Sequence, residues 1–397
     1  MAARIDANIN KETISFICSQ IGISTTFLSQ RTGLAEDQVR AWLDVSSDAF
    51  PTLNQAKLLA KALKIPFAGL YMNKDNLPIK KLPSLLNLRT LPYASSDNSS
   101  LNLAVVELIR YCDFLTSTEV DLGISPPILF LPSIPESVDV AECAAIIRTY
   151  FQLELNAQFK LLSPRQFYLY VRQKVENKGV FIHCFTGVDV EIVRAISIFN
   201  ESTPIIGVND KDRYPAKTFS IIHELVHILK RQSTLCNEMY ASFSLKTEEI
   251  FCNAVAGEVL VPTASLNAIL NASEITSFSL DDIDNIATKY RVSKEVVTRR
   301  LYDIKRISKD EYDTYANEIQ QRFINERDTG NISRHESRAK SVFKDISRDA
   351  VDKTSSAICR ALLIGYSDGY FSKQDVSGLL GIKEKHIPKF LAEVAKW

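Results

Sequence analysis

The run TFSIIHELVHIL, residues 218–229, decides how this chain is read. Phe219, Ile222, Val226 and Leu229 recur at spacings of three and four, which predicts a helix with one apolar face. Pro215 is well placed at the first turn of that helix. His223 and His227 are two of only five histidines in 397 residues, and four apart they share a face, one turn from each other. Glu224 is rotated by about 100° from His223, beside that face. Two imidazoles so spaced can reach one zinc ion at about 2.0–2.1 Å, with the adjoining carboxylate at the remaining, water-filled position. The same pair also occurs by accident in core helices, so a third ligand is needed.

The next helical pattern supplies a candidate. In TEEIFCNAVAGEVLVP, Phe251, Val255, Val259 and Leu260 form an apolar face that stops before Pro262. Glu249 on this second helix would complete a His, His, Glu set, and Asn253, one turn on, could orient a histidine's second nitrogen. Glu248 is a rival ligand, with Cys252 four residues on, while Glu258 falls on another face. The plainer alternative leaves Glu248 and Glu249 as solvated acids of a helix first turn. Cys252 sits among apolar residues and is read as packing. Upstream, GVFIHCFTG, EIVRAISIFN and TPIIGVN read as a three-stranded antiparallel sheet, with His183 in the first strand as either a packed or a catalytic side chain.

With PIIGVN, FSIIHELVHIL and EEIFCNAVAGEVLVP in hand, the chain resembles the ImmA/IrrE family of zinc metallopeptidases over roughly residues 10–310. The resemblance implies a gluzincin-like enzyme, with zinc held by His223, His227 and Glu249 and with Glu224 as catalytic base. It also implies site-specific cleavage of a DNA-binding repressor or antitoxin that regulates a mobile-element, stress or defence gene. An oxyanion donor is expected, and Tyr240, His183 and Arg231 are the candidates, left open by the sequence. Val226 stands where the family usually has Gly, Cys252 and Gly257 replace alanines, and Val255 replaces Phe. None of these removes a ligand, although Val226 crowds the helix beside the site.

Ahead of this core, residues 1–72 read as short helices around a turn at Gly33, with Ser24 as a helix N-cap. A helix-turn-helix and a plain helical bundle fit that periodicity equally. The run Ile21–Met72, with RAWLD and PTLNQAKLLAKALKIPFAGLYM, resembles the Xre and Cro type of helix-turn-helix. Gln38 and Arg40 are its candidate DNA contacts, but Glu36 and Asp37 share the helix, and seven basic residues stand against six acids through residue 72. Docking to a protein partner competes with DNA binding.

The expected organisation places a linker at 73–100, the metallopeptidase core at 101–279 and a helix-turn-helix-like helical subdomain at 280–323. A second linker at 324–340 and a C-terminal helical module at 341–397 follow. In the subdomain, Arg299, Arg300, Lys305 and Arg306 form a basic cluster; His335 and His386 stand apart from any acid or cysteine group. The fold class is α+β, mostly α: an N-terminal helix-turn-helix bundle, a zincin-like core with a small antiparallel sheet, and a C-terminal helical region. Hydrophobic residues make up 46% and charged residues 24%, as in ordinary soluble proteins, and no apolar run approaches the ~18 residues of a membrane span. The first residues lack a signal-peptide plan, and seven cysteines without CxxC pairs point to a reducing cytoplasm. Zero net charge argues against the whole chain gripping nucleic acid. Candidate partners are therefore a protein substrate, DNA through the first module and a second copy of the chain, with no membrane. Two alternatives to the peptidase stand: a DNA-binding regulator or antitoxin whose peptidase-like domain is a sensor, and a scaffold with structural zinc.

Overall fold

The structure, a computed structural model, describes residues 6–76, 97–123, 130–135, 137–236, 247–273, 277–337 and 345–397. Four short helices open the chain: α1 (Lys11–Ile21), α2 (Thr25–Thr32), α3 (Glu36–Leu43) and α4 (Leu53–Ala62). Their ends are written locally. Asn10 and Ser24 accept from the backbone N–H groups of Thr13 and Phe27, Thr52 and Gln55 form a reciprocal capping box, and Gly33 ends α2 at φ 72°. Ile14, Ile17, Leu28, Val39, Trp42 and Leu59 fill the interior. The buried Lys11 sends its ammonium to the carbonyls of Ala41 and Asp44, both at 3.2 Å, where the negative end of α3 favours a cation.

Helix α5 (Ser99–Leu122) joins this bundle to everything that follows. Leu103 and Val106 enter the bundle core, while Leu101, Ala104, Val105, Leu108 and Tyr111 belong to the next core. Polar contacts reinforce the docking. Ser24 N–H donates to Ser99 Oγ at 2.8 Å, Asn102 donates to the Gly22 carbonyl at 3.2 Å, and Arg110 donates to the Lys64 carbonyl at 2.7 Å. Glu107 pairs with Lys64 at 2.6 Å. Of the expected linker at 73–100, residues 77–96 lie outside the described residues, and its end already forms the start of α5.

Next come α6 (Val140–Tyr150), α7 (Leu155–Lys160), α8 (Pro164–Glu176), β1 (Phe181–Phe185), β2 (Ala195–Ile198), β3 (Ile205–Asn209), α9 (Tyr214–Leu229) and β4 (Thr234–Cys236). The sheet corrects the expectation of three antiparallel strands. It has four strands in the order β1-β3-β2-β4, with β3 parallel to β1 and antiparallel to β2. Hydrophobic runs reveal that strands exist but not which neighbours they choose; the segment between β1 and β2 leaves room for β3 to insert between them. The three-residue β4 carries too short a pattern to be read.

Alternation splits the sheet residues between two cores. Ile182, Cys184, Ala195, Ile206 and Val208 face the core of α8, α9 and α10 (Thr247–Leu260). Phe181, Phe185, Ile196, Ile198 and Ile205 face α5. Gly207 lets α5 lie flush on the sheet: a Cβ there would come within 2.6 Å of Leu108 Cδ1.

The chain ends in α11 (Thr263–Ser273), α12 (Leu280–Tyr290), α13 (Lys294–Asp303), α14 (Lys309–Ser337), α15 (Ile346–Lys353), α16 (Ser356–Ser367), α17 (Lys373–Leu380) and α18 (Ile387–Val394). Ile283, Tyr290, Val297 and Leu301 place α12 and α13 in the same core as α9 and α10. The segment 324–340, expected as a linker, instead continues α14 as far as Ser337, and 338–340 lie outside the described residues. The run INERDTGNISRHES has too few apolar residues to show a helical period and so reads like a linker. The last helices cover the α5 face of the sheet through Ile358, Leu362, Phe390 and Leu391. Among the described residues no single helix is long and apolar enough to cross a membrane.

A buried ion pair fastens the last helices to the sheet. Arg172 of α8 lies 3.6 Å from Glu176 and donates to the carbonyls of Ile182 in β1 and Thr354 after α15, at 3.2 and 2.6 Å. Glu176 accepts from the N–H groups of Ile182 and Ser356, both at 3.3 Å. Removing one partner of such a pair strands the other charge, so Arg172→Leu is expected to lower unfolding free energy by about 3–5 kcal/mol. Urea denaturation should show Arg172→Leu/Glu176→Leu losing less than the two single variants summed.

Glu107 gives a second handle. Burial pushes its carboxyl up, but His183, with Nε2 at 3.8 Å, and the Lys64 ammonium outweigh that and hold it at about 2. A carboxyl depressed by folding stabilises fully above its unfolded value of about 4.3 and loses that contribution as pH falls through the folded one. The difference in urea midpoint between wild type and Glu107→Gln should therefore shrink steadily from about pH 4.3 towards pH 2.

Candidate metal centre

Helices α9 and α10 pack against each other, and their polar residues meet inside the larger core. His223, Glu224 and His227 are fully buried. His223 Nε2 and His227 Nε2 are 3.2 Å apart, Glu249 Oε2 is 3.3 Å from His223 Nε2, and Glu249 Oε1 is 3.5 Å from His227 Nε2. A tetrahedral ion with bonds of about 2.0–2.1 Å separates its donors by about 3.3 Å. The three side chains thus hold the edges of a tetrahedral face, and the donor set fits a divalent metal.

The outer nitrogens of both imidazoles are engaged. His223 Nδ1 lies 2.8 Å from Asn253 Oδ1, which accepts its proton and leaves the Nε2 lone pair to the triad. His227 Nδ1 lies 3.2 Å from Gln232 Oε1 in the same relation. Burial, with His223 adding to it and Glu249 opposing, lowers His227 to about 4, so its imidazole is neutral at pH 7. Gln232 escaped the sequence reading because a polar residue just past a helix end carries no period.

The neighbours divide cleanly. Glu248, the rival ligand, turns to Lys230 Nζ at 2.7 Å. Cys252 Sγ is 3.8 Å from His227 Nδ1, on the side away from the triad nitrogens, and burial pushes its thiol well above the usual range. Val226 is buried in the apolar core.

With this geometry fixed, the comparison with known families is decisive: residues 180–302 match the IrrE N-terminal-like domain, Peptidase_M78. That segment belongs to the Peptidase_M78 family. It is a metallopeptidase domain of the ImmA/IrrE kind, and it spans the sheet, α9, α10 and the helices through α13. No curated protein matches the chain.

Other expected site residues lie elsewhere. His183 is corrected as an oxyanion donor: it points from the opposite sheet face, between Glu107 and Tyr111, whose ring centroid is 4.3 Å away. The strand period places it with Phe181 and Phe185, away from α9. Arg231 donates to the Leu131 carbonyl at 3.0 Å and lies over the Phe199 ring. Tyr240 lies outside the described residues. In the first module, Arg40 is exposed and paired with Glu36 at 3.0 Å, and Gln38 is half-buried. The basic cluster of α13 and the turn after it is smaller than its sequence implies. Arg300 is buried on Glu258 and the Val261 carbonyl, Arg299 pairs with Asp303, and Arg306 donates to Asn267 and Asn271.

Purified M78-containing chain is expected to hold about one divalent ion per three-donor site. Metal analysis should find it lost from His223→Ala and Glu249→Ala and retained in Cys252→Ala.

Proposed function

We propose that the chain is a zinc endopeptidase that makes site-specific cuts in a DNA-binding repressor or antitoxin. The observation that carries this reading is the convergence of His223, His227 and Glu249 at tetrahedral spacing, with Glu224 on the same helix. His223, His227 and Glu249 would hold the ion, and no fourth protein donor stands with them among the described residues. A structural zinc site would be closed by a fourth protein ligand, and the described residues offer three. Imidazole and carboxylate donors suit zinc among the common divalent ions. When bound, the ion supplies Lewis acidity towards a carbonyl and towards water.

Glu224 is the acid–base group. Its backbone is fixed between the two ligating histidines, so it takes a proton from the attacking water and returns it to the departing amine nitrogen. Asn253 and Gln232 keep the imidazoles oriented while this happens. The N-terminal helical module brings the peptidase to its regulator. The pairing of Arg40 with Glu36, next to the exposed Asp37, favours protein docking by α3 over a grip on phosphates. The cytoplasm is the compartment that suits this partner, and the described cysteines, such as Cys112 and Cys359, are free thiols.

Glu224→Gln keeps the shape of the side chain and removes the base. It should retain metal and secondary structure while losing about 10²–10⁴-fold in cleavage rate. Expressed in the native host, this variant should trap an intact DNA-binding regulator, identified by mass spectrometry of captured proteins. Recovery of operator DNA alone, bound by residues 1–72 with steep salt dependence and indifferent to Glu224→Gln, would favour the transcription-factor reading instead.

A further inference from the structure

Helix α9 ends in a turn that returns the chain over its own metal-site histidine. Arg231 N–H bonds to the Ile228 carbonyl at 3.0 Å, and Gln232 N–H bonds to the His227 carbonyl at 2.9 Å. This is the Schellman pattern, whose left-handed position is usually glycine. Here Arg231 holds it at φ 63°, a conformation that costs an L-residue about 1–2 kcal/mol. The turn binds Gln232 to His227 twice, once through the backbone and once through the side chain, with Oε1 at 3.2 Å from Nδ1.

The other end of the Gln232 amide faces a charge. It interacts with the Glu248 carboxylate, and Lys230 Nζ lies 2.7 Å from Glu248 Oε1. Lys230 in turn rests over the Phe251 ring at 4.9 Å. An amide has a donor end and an acceptor end, whereas an ionised carboxylate only accepts. Glu248 therefore takes the NH2 group and leaves Oε1 facing the imidazole. An oxygen at Nδ1 requires the proton to sit on Nδ1, which leaves the Nε2 lone pair in the triad.

We propose that Gln232, clamped by Glu248 and Lys230, is a positioning residue that locks His227 in the tautomer presenting Nε2 to the metal. It does for His227 what Asn253 does for His223, from a different element. Glu248 serves the site at one remove, through the amide. The inference rests on the reading of the triad as a metal site.

The test uses the full chain and cobalt(II), whose visible absorption reports ligand geometry and whose titration gives affinity. Gln232→Leu removes the acceptor at similar size and should weaken cobalt binding by about 10–100-fold with a shifted visible band. Exchanging the two groups, Gln232→Glu with Glu248→Gln, again puts a carboxylate–amide pair beside His227 with an acceptor on Nδ1. The exchange should return affinity to within a few-fold of wild type. Circular dichroism identifies any variant that fails to fold, in which case the exchange alone decides. Affinity in Gln232→Leu within about twofold of wild type, with an unchanged band, would overturn the role of Gln232 and leave the triad reading intact. An exchange variant that binds as weakly as Gln232→Leu would also overturn it. Failure of wild type to bind cobalt stoichiometrically would overturn both.

Discussion

Everything at the metal centre depends on the register between α9 and α10. Each helix carries half of what the site needs, and neither half has a use alone. His223 and His227 lie one turn apart on α9, so their nitrogens meet automatically; Glu249 and Asn253 are one turn apart on α10 and must meet them from across the interface. A slide of α10 by one residue, about 1.5 Å, would break both contacts at once. The apolar neighbours Leu225, Val226, Cys252, Val255 and Ala256 are the residues that prevent it, since a close-packed interface has discrete fits and no continuous play. Farther along α10, Gly257 admits the side chain of Arg300, whose guanidinium seizes Glu258 and Thr263. The end of α10 remote from the metal is thereby fixed to α13.

The site was legible in the sequence to the extent that its contacts are helical. Spacings of four residues mark His223 with His227 and Glu249 with Asn253, because a helix turns repetition in sequence into proximity in space. The partners that come from irregular backbone left no such trace. Gln232 reaches His227 only because Arg231 adopts a left-handed conformation that nothing in RQST advertises. His183 stayed open between packing and catalysis for a related reason. Its strand was recognisable, but which face of the sheet α9 packs on depends on tertiary packing.

The fold followed the same division. Caps at Ser24 and Gly33, Pro215 in the first turn of α9, and the stop of α10 before Pro262 were all local signals, and the helices lie where those signals put them. Strand order was not local, so the parallel pairing of β1 with β3 emerged only in three dimensions. Nor could composition distinguish a linker from the far half of α14, since INERDTGNISRHES is as polar as a linker would be.

Helix α5 belongs to two cores at once, with Leu103 and Val106 in one and Leu108 and Tyr111 in the other. The boundary between the first module and the peptidase therefore runs lengthwise through a helix and not across a connecting segment. The N-terminal bundle is therefore not a cassette that can be swapped without regard to what lies behind it. A new bundle would have to match one side of α5, residue by residue, while the other side stayed pressed on Gly207 and the sheet. Change in the bundle is tolerated where its helices face outward, while its inward face has to keep the shape that α5 presents.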